Sequence, residues 1–261
     1  MNLSLAGKCA LVCGSTQGIG LAIARELSLQ GATCILLGRS NESLQEAISS
    51  LDTTNGQTHR RCQADQSQPE SMRLAVEKIL QEGPIHILIN NSGGPASGPV
   101  LQATADQFLQ TFQQHLLANH QLATMLIPGM RDAGYGRIIN IISTSVRIPL
   151  KNLGVSNTIR GAVASWAKTL ANEVGPDQIT VNNILPGFTR TQRLQVLMEE
   201  KAKKENKTIA QVEEEWKAEV PLRRIATPEE VAALAVFLAS PAASYIHGVS
   251  IPVDGGRTGS I

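Results

Sequence analysis

Six short apolar runs recur along the chain with longer segments of helical period between them: CALVC (9–13), CILLG (34–38), IHILIN (85–90), RIINIIS (137–143), ITVNNIL (179–185) and VSIPV (249–253). The runs are nearly continuous in apolar residues rather than alternating, as strands buried on both faces of a parallel sheet are. Helical segments at 18–30, 40–51, 68–82, 104–132, 157–175 and 228–239 fill the intervals. This alternation predicts a doubly wound α/β domain, with a mainly parallel sheet and helices on both faces. A seventh strand around 58–64 (THRRCQA) is polar and belongs at a sheet edge. No repeat or low-complexity linker divides the 261 residues, so 1–261 reads as a single domain.

One segment breaks the rhythm. Residues 192–219 separate the strand at 179–185 from the helix at 228–239 and carry helical patterning of their own. Glu199 with Lys203 and Glu200 with Lys204 have the favourable i,i+4 order. Leu194, Leu197 and Met198, then Ile209, Val212 and Trp216, form narrow apolar stripes. Placed directly after a strand's carboxyl end, the segment reads as a helical cap over a ligand crevice.

The first apolar run leads into Gly14, Ser15, Thr16, Gln17, Gly18, Ile19 and Gly20, and then into a helical run. Glycines there permit a tight turn and let backbone N–H groups approach a pyrophosphate at the helix start. A glycine-rich strand–turn–helix at the head of an α/β chain predicts dinucleotide binding. At the end of the second run, where an acid would bond the ribose of NAD, the chain has Arg39 and Ser40. A guanidinium suits a 2′-phosphate, which points to NADP(H).

The spacing G-x-x-x-G-x-G resembles the short-chain dehydrogenase/reductase family, a Rossmann-fold family, with Cys13 in place of its threonine. The resemblance continues through Asp65 and Gln66 after the third strand and Asn90, Asn91, Ser92 and Gly93 after the fourth. It runs on through Pro186, Gly187, Thr189 and Thr191 beside the nicotinamide, and Pro228 to Ala232 and Asp254 to Gly256 near the end. It implies a seven-stranded sheet, a hydride transfer between NADP(H) and a small-molecule carbonyl or alcohol, and a homo-oligomer, dimer or homotetramer, packed through the helices near 104–132 and 157–175. The implied cofactor ligands are Gly14, Thr16, Gln17, Gly18, Ile19, Gly20, Arg39, Ser40, Asp65, Gln66, Asn91, Ser92, Gly93, Arg160, Pro186, Gly187, Thr189 and Thr191.

The family's catalytic tetrad of Asn, Ser, Tyr and Lys is largely replaced. Ser143 matches the serine, but Ser156 stands at the tyrosine position, Arg160 at the lysine and His115 at the asparagine. The chain has only two tyrosines, Tyr135 and Tyr245, and neither is placed to substitute. A serine hydroxyl is a poor proton donor beside a phenol, and Arg160 keeps the charge but does not titrate usefully. His115 is the remaining titratable group, expected to suit proton transfer near neutrality with Ser143, Ser156 or a water. The pattern N-N-S-G-G-P with S-N-x-x-R resembles a divergent subgroup grouped with 3-oxoacyl-(acyl carrier protein) reductases.

Three functions fit: an NADP(H)-dependent oxidoreductase with a modified proton donor, a weak or inactive NADP(H)-binding pseudoenzyme, and a structural partner in an oligomer. Pro95, Val100, Pro149, Leu150 and Leu153 suggest an apolar crevice wall with no fixed anion partner, Arg147 and Lys151 being loop cations. Net charge of +1 gives no footprint for nucleic acid or an anionic membrane. No apolar stretch is long enough to span a membrane, and no signal peptide is evident. The four cysteines and scattered histidines form no metal pattern, so no metal and a reducing, cytoplasmic setting are expected.

Overall fold

The computed structural model describes residues 1–260. The apolar runs become β1 (Cys9–Cys13), β2 (Thr33–Gly38), β4 (Ile87–Asn90), β5 (Gly136–Ile141), β6 (Ile179–Pro186) and β7 (Ser250–Val253). β3 (Arg60–Gln63) is the polar edge strand. The seven strands lie in the order β3-β2-β1-β4-β5-β6-β7, and every neighbouring pair is parallel. The sheet is therefore wholly parallel, where the sequence predicted it to be mainly so.

Because successive side chains of a strand point to opposite faces, each run supplies two cores. Ala10, Val12, Leu36, Ile89, Ile139 and Ile184 pack with α1 (Gly18–Leu29), α2 (Asn41–Ser49) and α9 (Pro228–Ala239). Leu11, Cys13, Ile35, Leu88, Ile138 and Val181 pack with α3 (Pro69–Leu80), α5 (Ala118–Asp132) and α6 (Gly154–Val174). The direction in which successive strands are added reverses between β1 and β4, and in open parallel sheets a ligand crevice lies beyond the strands' carboxyl ends at such a switch.

Polar side chains fix the two ends of the sheet. At the amino ends, backbone N–H groups of Cys9, Cys34 and Val181 donate to Nδ1 of His86, His59 and His247 at 3.1, 3.0 and 3.1 Å. Three of the five histidines are thus braces between strands and loops. Near the carboxyl ends, Asn90 donates to Asn140 (2.8 Å), Asn140 to Asn183 (2.9 Å) and Asn183 to Ser250 (3.0 Å). The four are register partners across β4 to β7, so one amide ladder ties the floor of the crevice.

Two regions differ from the predicted helices. The segment 104–132 is α4 (Ala105–Phe112), a π-helical turn over Gln113–Leu117, and α5, instead of one helix. α6 begins at Gly154, three residues before the predicted start, which puts Ser156 in its first turn.

The insertion forms α7 (Gln192–Glu205) and α8 (Ile209–Ala218), joined through Asn206 in the left-handed region. Leu194, Met198, Val212 and Trp216 build a small core of their own, and Phe188 stacks flat on Trp216 at 4.7 Å. The predicted Glu199–Lys203 and Glu200–Lys204 pairs do not form. Glu199 instead accepts from Gln195 and Glu200 from Ser97, while Lys201 crosses to Glu215 on α8. Glu199 thus keeps a partner on its own helix, while Glu200 and Lys201 take partners on other segments, because exposed i,i+4 ion pairs are too weak to dictate the choice. Ile209, the first residue of α8, lies on the same face as Val212 and Trp216 but stays exposed at the helix end.

Candidate functional site

β1 ends in a turn whose backbone is locked from behind. Gly14 and Gly18 have φ of +55° and +57°, the region that favours glycine. The Asn91 side chain donates to the carbonyls of Cys13 (3.2 Å) and Gly14 (3.0 Å), bracing the turn across the switch point. A Cβ on Gly20 would lie 2.2 Å from the Gly14 carbonyl oxygen, so α1 approaches the turn as closely as backbone allows. The first turn of α1 carries no acidic residue, and the Gln17 side chain does not cap it. In α2, α4, α7 and α8, by contrast, Ser40, Thr104, Thr191 and Thr208 accept from the first-turn N–H groups. Open N–H groups and a positive dipole end at the crevice fit a pyrophosphate.

The adjoining end of β2 carries Arg39, exposed and without an ion pair among the described residues. Thr16 packs beside Gly38, which sets the turn against this corner. The Ser40 hydroxyl is already engaged, accepting from Ser43 N–H (3.2 Å) and donating to Glu42 (2.9 Å). Burial acts to raise the Asp65 carboxyl, but two hydrogen bonds from Ser67 and the charge of Arg39 hold it below the usual range. Beside it the Gln66 side-chain N–H₂ is buried with no partner. An orphaned donor next to an ionised carboxylate suits the edge of an adenine.

On the other flank, β6 delivers Pro186 and Gly187. A Cβ on Gly187 would lie 2.7 Å from that of Asp254. Thr189 is buried, and Thr191 caps α7 by accepting from Leu194 N–H at 3.2 Å while its methyl faces Gly18. Gly93 has open space around it. The structure thus brings Gly14 and Gly20 against Asn91, Gly18 against Thr191 and Thr16 against Gly38, with the Asn91 amide and the Ser40 hydroxyl occupied within the protein.

His115 sits in the π turn, 4% exposed, with Nδ1 2.9 Å from the Ser92 hydroxyl and Nε2 buried without a partner. Burial and then the charge of Arg160 push its pKa down to about 3, the Gly93 backbone acting weakly the other way. It is thus a neutral imidazole at pH 7. This corrects the expectation of a group titrating near neutrality: removal from water and a fixed cation both oppose the imidazolium. His120 lies apart, its ring edge against Trp166.

Ser143 follows β5 and accepts from Ser145 N–H at 3.1 Å. Ser156 is 8% exposed and accepts from Nε of Arg160 at 3.2 Å. Arg160 also donates through Nη1 to the carbonyls of Ile142 (2.6 Å) and Ile141 (3.3 Å). Burial first, and the neighbouring Arg193 second, push its pKa down to about 10, so it stays charged. Arg193, absent from the expected set, reaches from α7 to the Pro95 carbonyl at 2.5 Å. Its signal in the sequence is a cation in a helix's first turn, where the dipole disfavours one. The predicted wall with no anion partner is thus corrected at Pro95.

Tyr135 bonds the Ala239 carbonyl, and Tyr245 is fully exposed, so neither supplies a phenol here. Cys13, at the threonine position, is fully buried, and burial raises its thiol pKa. No group of three or more potential metal ligands exists among the described residues.

The family model described as enoyl-(acyl carrier protein) reductase matches residues 14–258. The 3-oxoacyl-(acyl carrier protein) reductase FabG of Aquifex aeolicus is 33% identical over 260 residues, covering 98% of this chain and 99% of that protein. The crystal structure of L-sorbose reductase from Gluconobacter frateurii, complexed with NADPH and L-sorbose, superposes with a TM-score of 0.94 at 33% identity, covering both chains fully. YwfH, an NADPH-dependent reductase involved in bacilysin biosynthesis, gives 0.92 at 31% identity over 97% of this chain and 99% of its own.

Proposed function

The chain belongs to the short-chain dehydrogenase/reductase family, and on that premise we propose that it is an NADP(H)-dependent oxidoreductase acting on a carbonyl or hydroxyl substrate of the 3-oxoacyl kind. Its tetrad is degenerate, with Ser156 and Arg160 in place of tyrosine and lysine. Arg39 carries the cofactor assignment: an exposed guanidinium without an ion pair among the described residues stands at the end of β2, beside the glycine turn, where an acid would select NAD. When bound, NADPH supplies the hydride.

The chain's own residues hold and polarise. The turn at Gly14–Gly20 and the start of α1 receive the pyrophosphate, and Asp65 and Gln66 the adenine. Thr189 and Thr191 close the nicotinamide end under the α7–α8 cap. Ser143 and Ser156 each accept an N–H bond, which leaves their own protons to donate to a substrate oxygen. Arg160 stabilises the negative charge developing there. Neutral His115 positions Ser92, and its Nε2 is buried without a partner. Exposed Leu109, Phe112 and Leu117 support self-association as a dimer or tetramer, and four free thiols suit the cytoplasm.

Titration of the purified protein with NADPH and NADH tests the cofactor: NADPH binds more tightly, and equal affinities overturn the assignment. A panel of β-ketoacyl thioesters, ketones, aldehydes and quinones then tests turnover. The absence of any phenol or protonated imidazole in the site favours a second reading, an NADP(H)-binding protein without turnover. Tight NADPH binding with no oxidation on the whole panel selects it.

A further inference from the structure

Arg160 and Arg193 meet over Gly94. A Cβ there would lie 3.4 Å from Nε of Arg193, 3.7 Å from its Nη2 and 3.8 Å from Nη2 of Arg160. Arg160 uses its Nε and Nη1 on Ser156 and two carbonyls, leaving Nη2 toward Gly94. Arg193 binds the Pro95 carbonyl through Nη2 and leaves Nε. Neither has a carboxylate partner among the described residues, and the neighbouring Glu200 is held by Ser97. Two half-buried guanidiniums facing one glycine repel each other and are poorly solvated, and the one carboxylate whose charge reaches Arg193, that of Glu200, makes no ion pair with it. His115, neutral, does not compensate.

We propose that Arg160 and Arg193 form an anion subsite, and that the substrate carries a carboxylate near the carbonyl it presents to Ser156. The proposal rests on the crevice being the substrate site and narrows its substrate to a free oxo acid, since the carboxyl of a 3-oxoacyl thioester is uncharged. A planar carboxylate matches guanidinium N–H edges. The cofactor's pyrophosphate shares this chemistry, but its place lies at Gly18 and Thr191, whereas the guanidinium reaching Gly94 also bonds Ser156.

Calorimetric titration of 2-oxohexanoate and 4-oxohexanoate, each against its methyl ester, tests the subsite on wild type, Arg193→Met and Arg193→Gln, with and without saturating NADP⁺. At least one acid binds wild type about tenfold or more tighter than its ester. Both variants erase that preference and change NADPH affinity less than about threefold. Equal binding of acid and ester by wild type overturns the proposal. So does an intact acid preference in the variants together with about tenfold weaker NADPH binding, which assigns Arg193 to the pyrophosphate. Because the acid–ester pair is also read without nucleotide, a failure to bind NADPH counts against the proposed function alone.

Discussion

The two flanks of the crevice are built from different materials. Toward β1 and β2 the surface is mainly backbone: the Gly14–Gly20 turn, the open N–H groups of α1, and Asn91 bracing them from behind. Toward α6 and α7 it is side chain: Ser156, Arg160, Arg193 and, from the π turn, His115. A backbone cradle depends on glycines and close approach, so it accepts few replacements and keeps one ligand chemistry. A side-chain cluster can exchange a phenol and an amine for a hydroxyl and a guanidinium while the helices beneath stay put. One fold thus holds its nucleotide geometry while the chemistry beside it changes.

The largest effect is expected on the backbone flank. Gly20→Ala drives a Cβ against the Gly14 carbonyl and the Asn91 amide, neither of which can retreat. Overpacking of this kind costs about 1–3 kcal/mol or more. With the turn displaced, NADPH affinity falls by roughly 100-fold, read by fluorescence titration. Arg39→Ala removes one charged contact and lowers NADPH affinity by about tenfold to 100-fold while leaving NADH binding nearly unchanged. Equal losses for both nucleotides would show that Arg39 does not read the 2′-phosphate.

Smaller effects are expected on the other flank, and they should leave nucleotide binding alone. His115→Ala lowers turnover by about tenfold or more at constant NADPH affinity; unchanged turnover would reduce His115 to packing. Its low pKa also fixes a pH dependence. A histidine that ionises near 6.5 when unfolded and near 3 when folded contributes stability that is full above pH ~6.5. That stability is lost as pH falls toward 3, and His86, lowered by burial and then by Lys8, acts in the same direction. Denaturant melts of wild type and His115→Ala between pH 7 and 4 should therefore converge at the acid end. Ser156→Tyr with Arg160→Lys gives the smallest certain change in binding but raises reductase activity if the remaining site is intact. No gain in rate would show that the substrate flank has diverged beyond these two positions.

Much of this organisation was legible in the chain itself. The strands, the polar edge strand, the glycine turn and Arg39 were all marked by local pattern, because apolar period and turn chemistry act over a few residues. The break in 104–132 was not: its patterning reads as one helix, and the π turn that seats His115 beside Ser92 shows only in three dimensions. The Glu200 pairing also went elsewhere, since helix spacing sees neighbours along one helix and not across to Ser97, whereas Glu199 exchanged one i,i+4 partner for another, Gln195.

Sequence alone determined the parallel sheet, the family motifs and the spacing of Ser156 and Arg160, since each is written in contiguous residues. Tertiary structure decided the surroundings of the side chains there. It removed His115 from water and left its imidazole neutral, and it brought Arg193 from α7 close to Arg160 from α6. Burial and the meeting of charges from distant segments set those properties, and neither quantity exists until the chain has folded.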